Sequence, residues 1–363
     1  MRQRFNYFSA VIDFLIIGAG LSGISFSWEL EKKNISYKII DPCLQNSSSY
    51  ISGAIINPVT GRKYQQQWNI ETLLSNAKET YSAISEFLGI ELLQETSIIK
   101  FHKSIAALEE YNLQKNSTNI FIKEYFDKNR YDNFFHCEYG AVIIQRVLQL
   151  NTKRYIEAFT SYLYAQDKLR KNIFQSSDLK ITNSFFEYTK EQYKHIIFCD
   201  GVQCKQNAFF SYIPFKPAKG ECFIIQCPDL PEDSVYQKGV TLIPLGNHLF
   251  WCGGTNSWND LTTTPTLAGK KELEDHLQHL LKVDYTITEH KAAVRPTIKD
   301  RSPVVGSHPS IKNMYILNGM GTKGMSLAPY YADILLQHIL TSATIPKEAN
   351  VSRFAYLNNQ REG

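Results

Sequence analysis

The chain has 363 residues, 43% hydrophobic and 20% charged, a globular composition long enough for a sizeable core in two lobes. Its 39 Lys and Arg against 35 Asp and Glu leave a net charge of +4, and no dense basic run advertises a nucleic-acid surface. No apolar run reaches the length of a membrane span, and the 7 cysteines, an odd number without Cys-x-x-Cys pairs, read as free thiols in a cytoplasmic setting.

Residues 1–17 superficially resemble a signal peptide, with Arg2 and Arg4 ahead of an apolar segment. Asp13 interrupts that segment, and its second half, 14–17, reads as a buried strand. Gly18, Ala19, Gly20, Leu21, Ser22 and Gly23 follow with the spacing G-x-G-x-x-G. Leu21, Ile24 and Trp28 then recur at helical intervals, and a second strand over 37–40 ends on Asp41. The chemistry uses each part. Gly18 permits the tight turn, Gly20 lets a pyrophosphate approach bare backbone, and Gly23 lets helix and strand pack closely. The helix N-terminus faces the phosphates, and Asp41 accepts hydrogen bonds from the adenosine ribose, which favours NAD or FAD over NADP.

Pro42 leads into a polar loop with Ser48, Ser49 and Gly53, whose position after the ribose-binding acid makes it a cofactor-lining loop. Gly61, Arg62 and Lys63 read as a solvated turn. Asn69 is placed to cap a helix with Leu74, Ala77, Tyr81, Ile84 and Leu88 inward and Gly89 as its stop. Residues 90–138 change character: SIIKFH, NIFIKEYF and YDNFFHCEYG read as short aromatic strands between polar turns, an antiparallel insertion. Ile144, Val147, Leu148, Tyr155 and Phe159 return to helical spacing, and HIIFCDG, 195–201, reads as a buried strand of the nucleotide lobe.

From Pro214 the strand pattern resumes in FKPAKGECFIIQC, GVTLIPLG and HLFWCGGTN. Leu273, Leu277, Leu280 and Leu281 mark an amphipathic helix; His276 and His279, beside Glu274, read as its polar face, so no metal is expected. Finally, a strand over 314–317, a glycine loop over 319–324 and a helix over 325–340 repeat the opening unit. A cofactor with two ends to hold, such as FAD, accounts for two such units.

Several of these motifs, in this order, resemble the FAD-dependent oxidoreductases of the D-amino-acid oxidase type, which include glycine and sarcosine oxidases. They are the opening fingerprint with Asp41, SSSYISG, FKPAKGECFII, FWCGGTNSW, AAVRPTIKDRSPVVG and LNGMGTKGMSLAP. The resemblance implies an α/β fold: a Rossmann-type FAD-binding lobe, 1–89, 139–210 and 290–363, and an α+β substrate lobe on an antiparallel sheet, 90–138 and 211–289. It implies hydride transfer from the carbon beside an amine to flavin N5, giving an imine that water hydrolyses.

By the same resemblance, Arg295 grips a substrate carboxylate, unless it forms a structural ion pair with Asp300. Gly321, Thr322, Lys323, Gly324 and Met325 match the loop facing the flavin pyrimidine edge; Lys323 adds charge there or is a solvated loop residue. Thr241 falls where relatives place a substrate-binding tyrosine and Asn256 where glycine oxidase has an apolar residue, which implies a polar pocket. No cysteine stands where sarcosine oxidases attach the cofactor, so FAD is expected to be non-covalent. The expected substrate is a small amino acid or secondary amine. The alternatives are an aminomethyl-type tRNA uridine side chain, or flavin binding without turnover.

Overall fold

The computed structural model describes residues 11–61, 64–115, 119–124 and 126–362; Arg2, Arg4, Arg62, Lys63 and Tyr125 lie outside them. The fold is α/β and divides into two compact units, Met1–Leu44, Ile156–Lys216 and Pro296–Gly363 in the first, Gln45–Tyr155 and Pro217–Arg295 in the second. No described helix is long and apolar enough to cross a membrane.

At the centre of the first unit is the strand Ile12–Ile17, whose residues from Phe14 onward are all buried. It pairs in parallel with Tyr37–Ile40 on one side and Glu191–Phe198 on the other; Leu169–Arg170 and Met314–Asn318 extend the parallel run. Such strands are buried on both faces, which is why they read as continuous apolar runs. The helices Leu21–Lys32 and Gly324–Thr341 pack against each other. Each follows a glycine loop that follows a strand, so both loops open at the carboxyl ends of parallel strands, where such sheets hold ligands.

The second unit is built on a sheet of nine strands among the described residues. Thr286–Arg295, Ala218–Gln226, Leu249–Gly253, Val240–Gly246 and Val235–Lys238 run antiparallel in that order, and Val235–Lys238 joins Leu93–Phe101 in a parallel pair. Phe223, Ile225, Leu242 and Phe250 form a core with Leu273, Leu277 and Leu280 from the helix Leu267–Gln278 and the segment after it.

Several expectations need correction. Residues 141–150 are not helical: Ala141–Leu150 is a strand paired with Leu93–Phe101. Its register slips between Thr96 and Ile98, where Gln145 and Arg146 form a bulge and Arg146 takes φ 58°. A bulge adds one residue, so period-2 burial at 142 and 144 resumes at 147 and imitates a helical spacing. With that strand, residues 45–89, 139–155 and 290–295 fall in the second unit, not with the dinucleotide fold.

The stretch YDNFFHCEYG starts on the last residue of a short helix, Lys128–Tyr131, and continues in turns, with Phe135 bridging to Leu281; among the described residues NIFIKEYF keeps Ile122–Lys123 as strand. The helix Ile105–Gln114 escaped detection because it buries little besides Tyr111, which leaves almost no amphipathic signal. Asn69 does stand at the N-cap of Ile70–Leu88, but in a left-handed conformation with no side-chain cap bond, whereas Gly89 ends that helix at φ 65°. The serine loop after Asp41 contains a short helix, Ser48–Ile51, whose cap Ser47 accepts from the Tyr50 N–H. Among the described residues, no cluster of three metal-ligating side chains occurs, His276 and His279 included.

Candidate functional site

In the first unit the glycine fingerprint forms a cradle of bare backbone. Gly18 takes φ +106°, and a Cβ there would lie 2.4 Å from the Cys199 carbonyl oxygen; one on Gly23 would lie 1.8 Å from that of Gly18. Neither position admits a side chain. The helix Leu21–Lys32 starts at Gly20 with no side-chain cap and no acid in its first turn, and Gly324–Thr341 starts at Lys323 in the same way. Helices ordinarily recruit a Ser, Thr, Asp or Asn there, so two uncapped starts leave positive dipole ends for an outside anion. They are neighbours: a Cβ on Gly324 would meet Leu21 Cδ1 at 3.1 Å.

Asp41 has a second duty that its spacing did not disclose. Its Oδ2 accepts from the Ala19 N–H at 2.7 Å and its Oδ1 from the Cys43 N–H at 2.5 Å, so it fixes the glycine loop and still has lone pairs for ribose hydroxyls. Side-chain-free backbone, two adjacent helix starts and a fixed carboxylate fit the pyrophosphate and ribose of a dinucleotide. Pro42 follows Asp41 at the surface, Met325 is buried at the head of its helix, and Thr322 and Lys323 are exposed.

One acid beside this cradle was overlooked. Asp200 lies just past the strand Glu191–Phe198 and accepts from Asn207 Nδ2 at 2.9 Å and Asn318 Nδ2 at 3.1 Å. Burial pushes its carboxyl up to about 6. The available signal was an acid closing the apolar run 196–199.

In the second unit Arg295 stands at the end of Thr286–Arg295, opposite Ala218. Its guanidinium lies flat on the neighbouring strand because Gly220 has no side chain: a Cβ there would fall 2.0 Å from Nη2. Nη1 donates to the Thr255 carbonyl at 3.2 Å and to Asn256 Oδ1 at 2.9 Å. Asp300 is not its partner; that carboxylate pairs with Arg353, 2.9 Å from Nε. No described carboxylate forms an ion pair with Arg295, and burial pulls the guanidinium below its ordinary pKa.

Thr241 lies across from Gly253, and by register on the same sheet face as Arg295; its Oγ1 accepts from Gln237 Nε2 at 3.0 Å. Trp251, not anticipated, lies on that face too. Its Nε1 donates to the Ile51 carbonyl at 2.9 Å, and a Cβ on Gly53 would meet its ring at 2.6 Å. Gly53 thus answers first to Trp251, and Ser48–Ile51 packs near Thr286–Arg295. The structure therefore brings Ser48, Ser49 and Gly53 to the sheet that carries Arg295, Asn256 and Thr241, while Gly18 to Gly23, Asp41 and Gly321 to Met325 gather in the first unit.

The family model described as FAD dependent oxidoreductase matches residues 13–338. A glycine oxidase from Bacillus subtilis (strain 168) is 26% identical over 142 residues, 37% of this chain and 38% of that protein. A tRNA 5-methylaminomethyl-2-thiouridine biosynthesis bifunctional protein from Idiomarina loihiensis is 27% identical over 157 residues, 39% of this chain and 25% of that one. The chain thus spans well under half the length of these curated relatives. The crystal structure of glycine oxidase from Geobacillus kaustophilus has the same fold, with a TM-score of 0.77 over 94% of this chain and 97% of that one at 16% identity.

Proposed function

The chain belongs to the family of FAD dependent oxidoreductases, and from that premise we propose that it oxidises the C–N bond of a small amino acid or secondary amine bearing a carboxylate. The observation that carries this reading is the Arg295 head, partly buried, held at Nη1 by Thr255 and Asn256, and without an acidic partner among the described residues. A desolvated guanidinium is costly until an anion meets it, and its planar fork matches a carboxylate. The similarity to a glycine oxidase supports a substrate of this size.

Bound FAD supplies the acceptor for the hydride that leaves the carbon beside nitrogen. The chain's own contribution is position: Arg295 fixes the carboxylate, and with it the carbon one bond away. An amine bound neutral needs no strong side-chain base. We assign Gly18 to Gly23, Asp41 and Gly321 to Met325 to the cofactor, held without a covalent bond; acid precipitation should release the yellow colour, and colour retained in the pellet contradicts this.

A second reading, an aminomethyl-type tRNA uridine side chain, draws on the similarity to the tRNA-modifying relative. Anaerobic mixing of the holoenzyme with glycine, N-methylglycine, other small amino acids, plain amines and tRNA bearing an aminomethyl-type uridine side chain, watching the flavin bleach, tests both. Bleaching by a small carboxylate-bearing amine is expected. Bleaching by tRNA alone would replace the first reading with the second.

A further inference from the structure

The segment that holds the Arg295 head, 254–266, is itself anchored from the other face of the sheet. Along Ala218–Gln226 side chains alternate, so Gly220 lies under Arg295 while Lys219 and Glu221 turn the opposite way, 1% and 4% exposed. A buried ammonium persists when it is fully paired. Lys219 Nζ donates to Asp260 Oδ2 and to the Thr264 carbonyl, both at 2.5 Å, and to Thr262 Oγ1 at 3.3 Å. Glu221 accepts from the N–H and hydroxyl of Thr266 at 2.9 and 2.8 Å, and lies 2.8 Å from His290 Nε2.

The start of the segment is laced to the same two residues. Lys219 and Ser257 exchange backbone bonds at 2.8 and 3.0 Å, and the Glu221 N–H donates to Thr255 Oγ1 at 2.9 Å. Thr255, one of these anchors, and Asn256 beside it present the oxygens that accept from Arg295 Nη1. The hydrogen bond from Lys219 also holds the Asp260 carboxyl at about 2, well below its ordinary value.

We propose that Lys219, seconded by Glu221, is a positioning residue: it straps 254–266 across the sheet so that Asn256 aims the Arg295 fork at the anionic end of the substrate. The proposal rests on the reading of Arg295 as the carboxylate-binding group. Lys219 touches neither substrate nor flavin in this scheme. Its effect passes through the backbone of one loop.

The test compares Lys219→Met, Asp260→Asn and Arg295→Lys holoenzymes with wild type. Hydrogen–deuterium exchange of the 255–264 amides reads the strap directly. Titration with acetate, and with acetamide as uncharged control, followed by flavin absorbance, reads the fork. Lys219→Met and Asp260→Asn should both speed exchange in 255–264 and raise the acetate Kd about tenfold, the worth of roughly one charge-assisted hydrogen bond. Acetamide binding and FAD occupancy should stay unchanged. Arg295→Lys should weaken acetate with exchange in the loop unaltered.

Wild-type exchange in both strap variants overturns the proposal, as does faster exchange with wild-type acetate affinity while Arg295→Lys loses acetate. Acetate binding indifferent to Arg295→Lys overturns the carboxylate reading instead, and the exchange data then decide the strap alone. Should Lys219→Met fail to fold, Asp260→Asn carries the test, because its side chain is 36% exposed and tolerates the change.

Discussion

At the scale of single residues, Asp41 holds the Ala19 and Cys43 N–H groups, and we assign it to the ribose as well. The bond to the Ala19 N–H joins residues 22 apart and depends on the folded loop. Asp41→Asn should therefore weaken FAD twice over, through the ribose and through a looser cradle. A charged hydrogen bond is worth about 1.5–3 kcal/mol, so FAD affinity should fall roughly tenfold or more. Titration of apoprotein checks this, and unchanged affinity would remove Asp41 from the ribose. Asp200 went unremarked because its burial and its bond to Asn318, 118 residues away, exist only in the folded chain. Its folded pKa, about 6, lies above the ordinary 3.8 because burial disfavours the charge. The folded state therefore holds this proton more tightly than the unfolded one, and the stability it contributes is full below about 4 and lost as pH rises through 6. Carbon-detected NMR of the Asp200 carboxyl should titrate near 6; a midpoint near 4 would contradict its burial.

At the scale of elements, legibility followed the strength of the periodic signal. The strands Ile12–Ile17 and Met314–Asn318 carry the apolar runs 14–17 and 314–317 into glycine loops, Tyr37–Ile40 leads into Asp41, and all three stand where expected. Ala141–Leu150 was misread because a bulge at Arg146 shifts its phase, and Ile105–Gln114 because it hardly touches the core. The role of Gly220 was equally invisible, since the need for a glycine arises on a neighbouring strand. Gly220→Ala is compatible with an extended strand, but the new methyl group would fall 2.0 Å from Arg295 Nη2. The guanidinium, the free end of a flexible side chain, has to swing away. The expected result is weakened acetate binding with FAD content and melting temperature close to wild type. Wild-type acetate affinity would mean that the flat pose of Arg295 is not the binding pose.

At the scale of the whole molecule, the two strand–glycine loop–helix units pointed to a cofactor such as FAD and the family resemblance implied the α/β fold; the match over residues 13–338 agrees. The division of the chain was less legible, because it turns on pairing partners: once Ala141–Leu150 joins Leu93–Phe101, residues 45–155 become one continuous piece of the second unit. In the function we propose, substrate choice would have the same character, since Arg295, Thr241 and Trp251 share one sheet face only through the pairing of four strands. The most direct measurement is the rate of anaerobic flavin reduction by the best amino acid and by its decarboxylated amine, in wild type and in Arg295→Ala. Breaking a desolvated charge pair costs about 2–5 kcal/mol, so the amino acid should lose roughly 30-fold or more in rate over binding constant while the plain amine changes little. Equal losses for both would mean that Arg295 serves the fold or the flavin, and would contradict the assignment of a carboxylate-bearing amine as substrate.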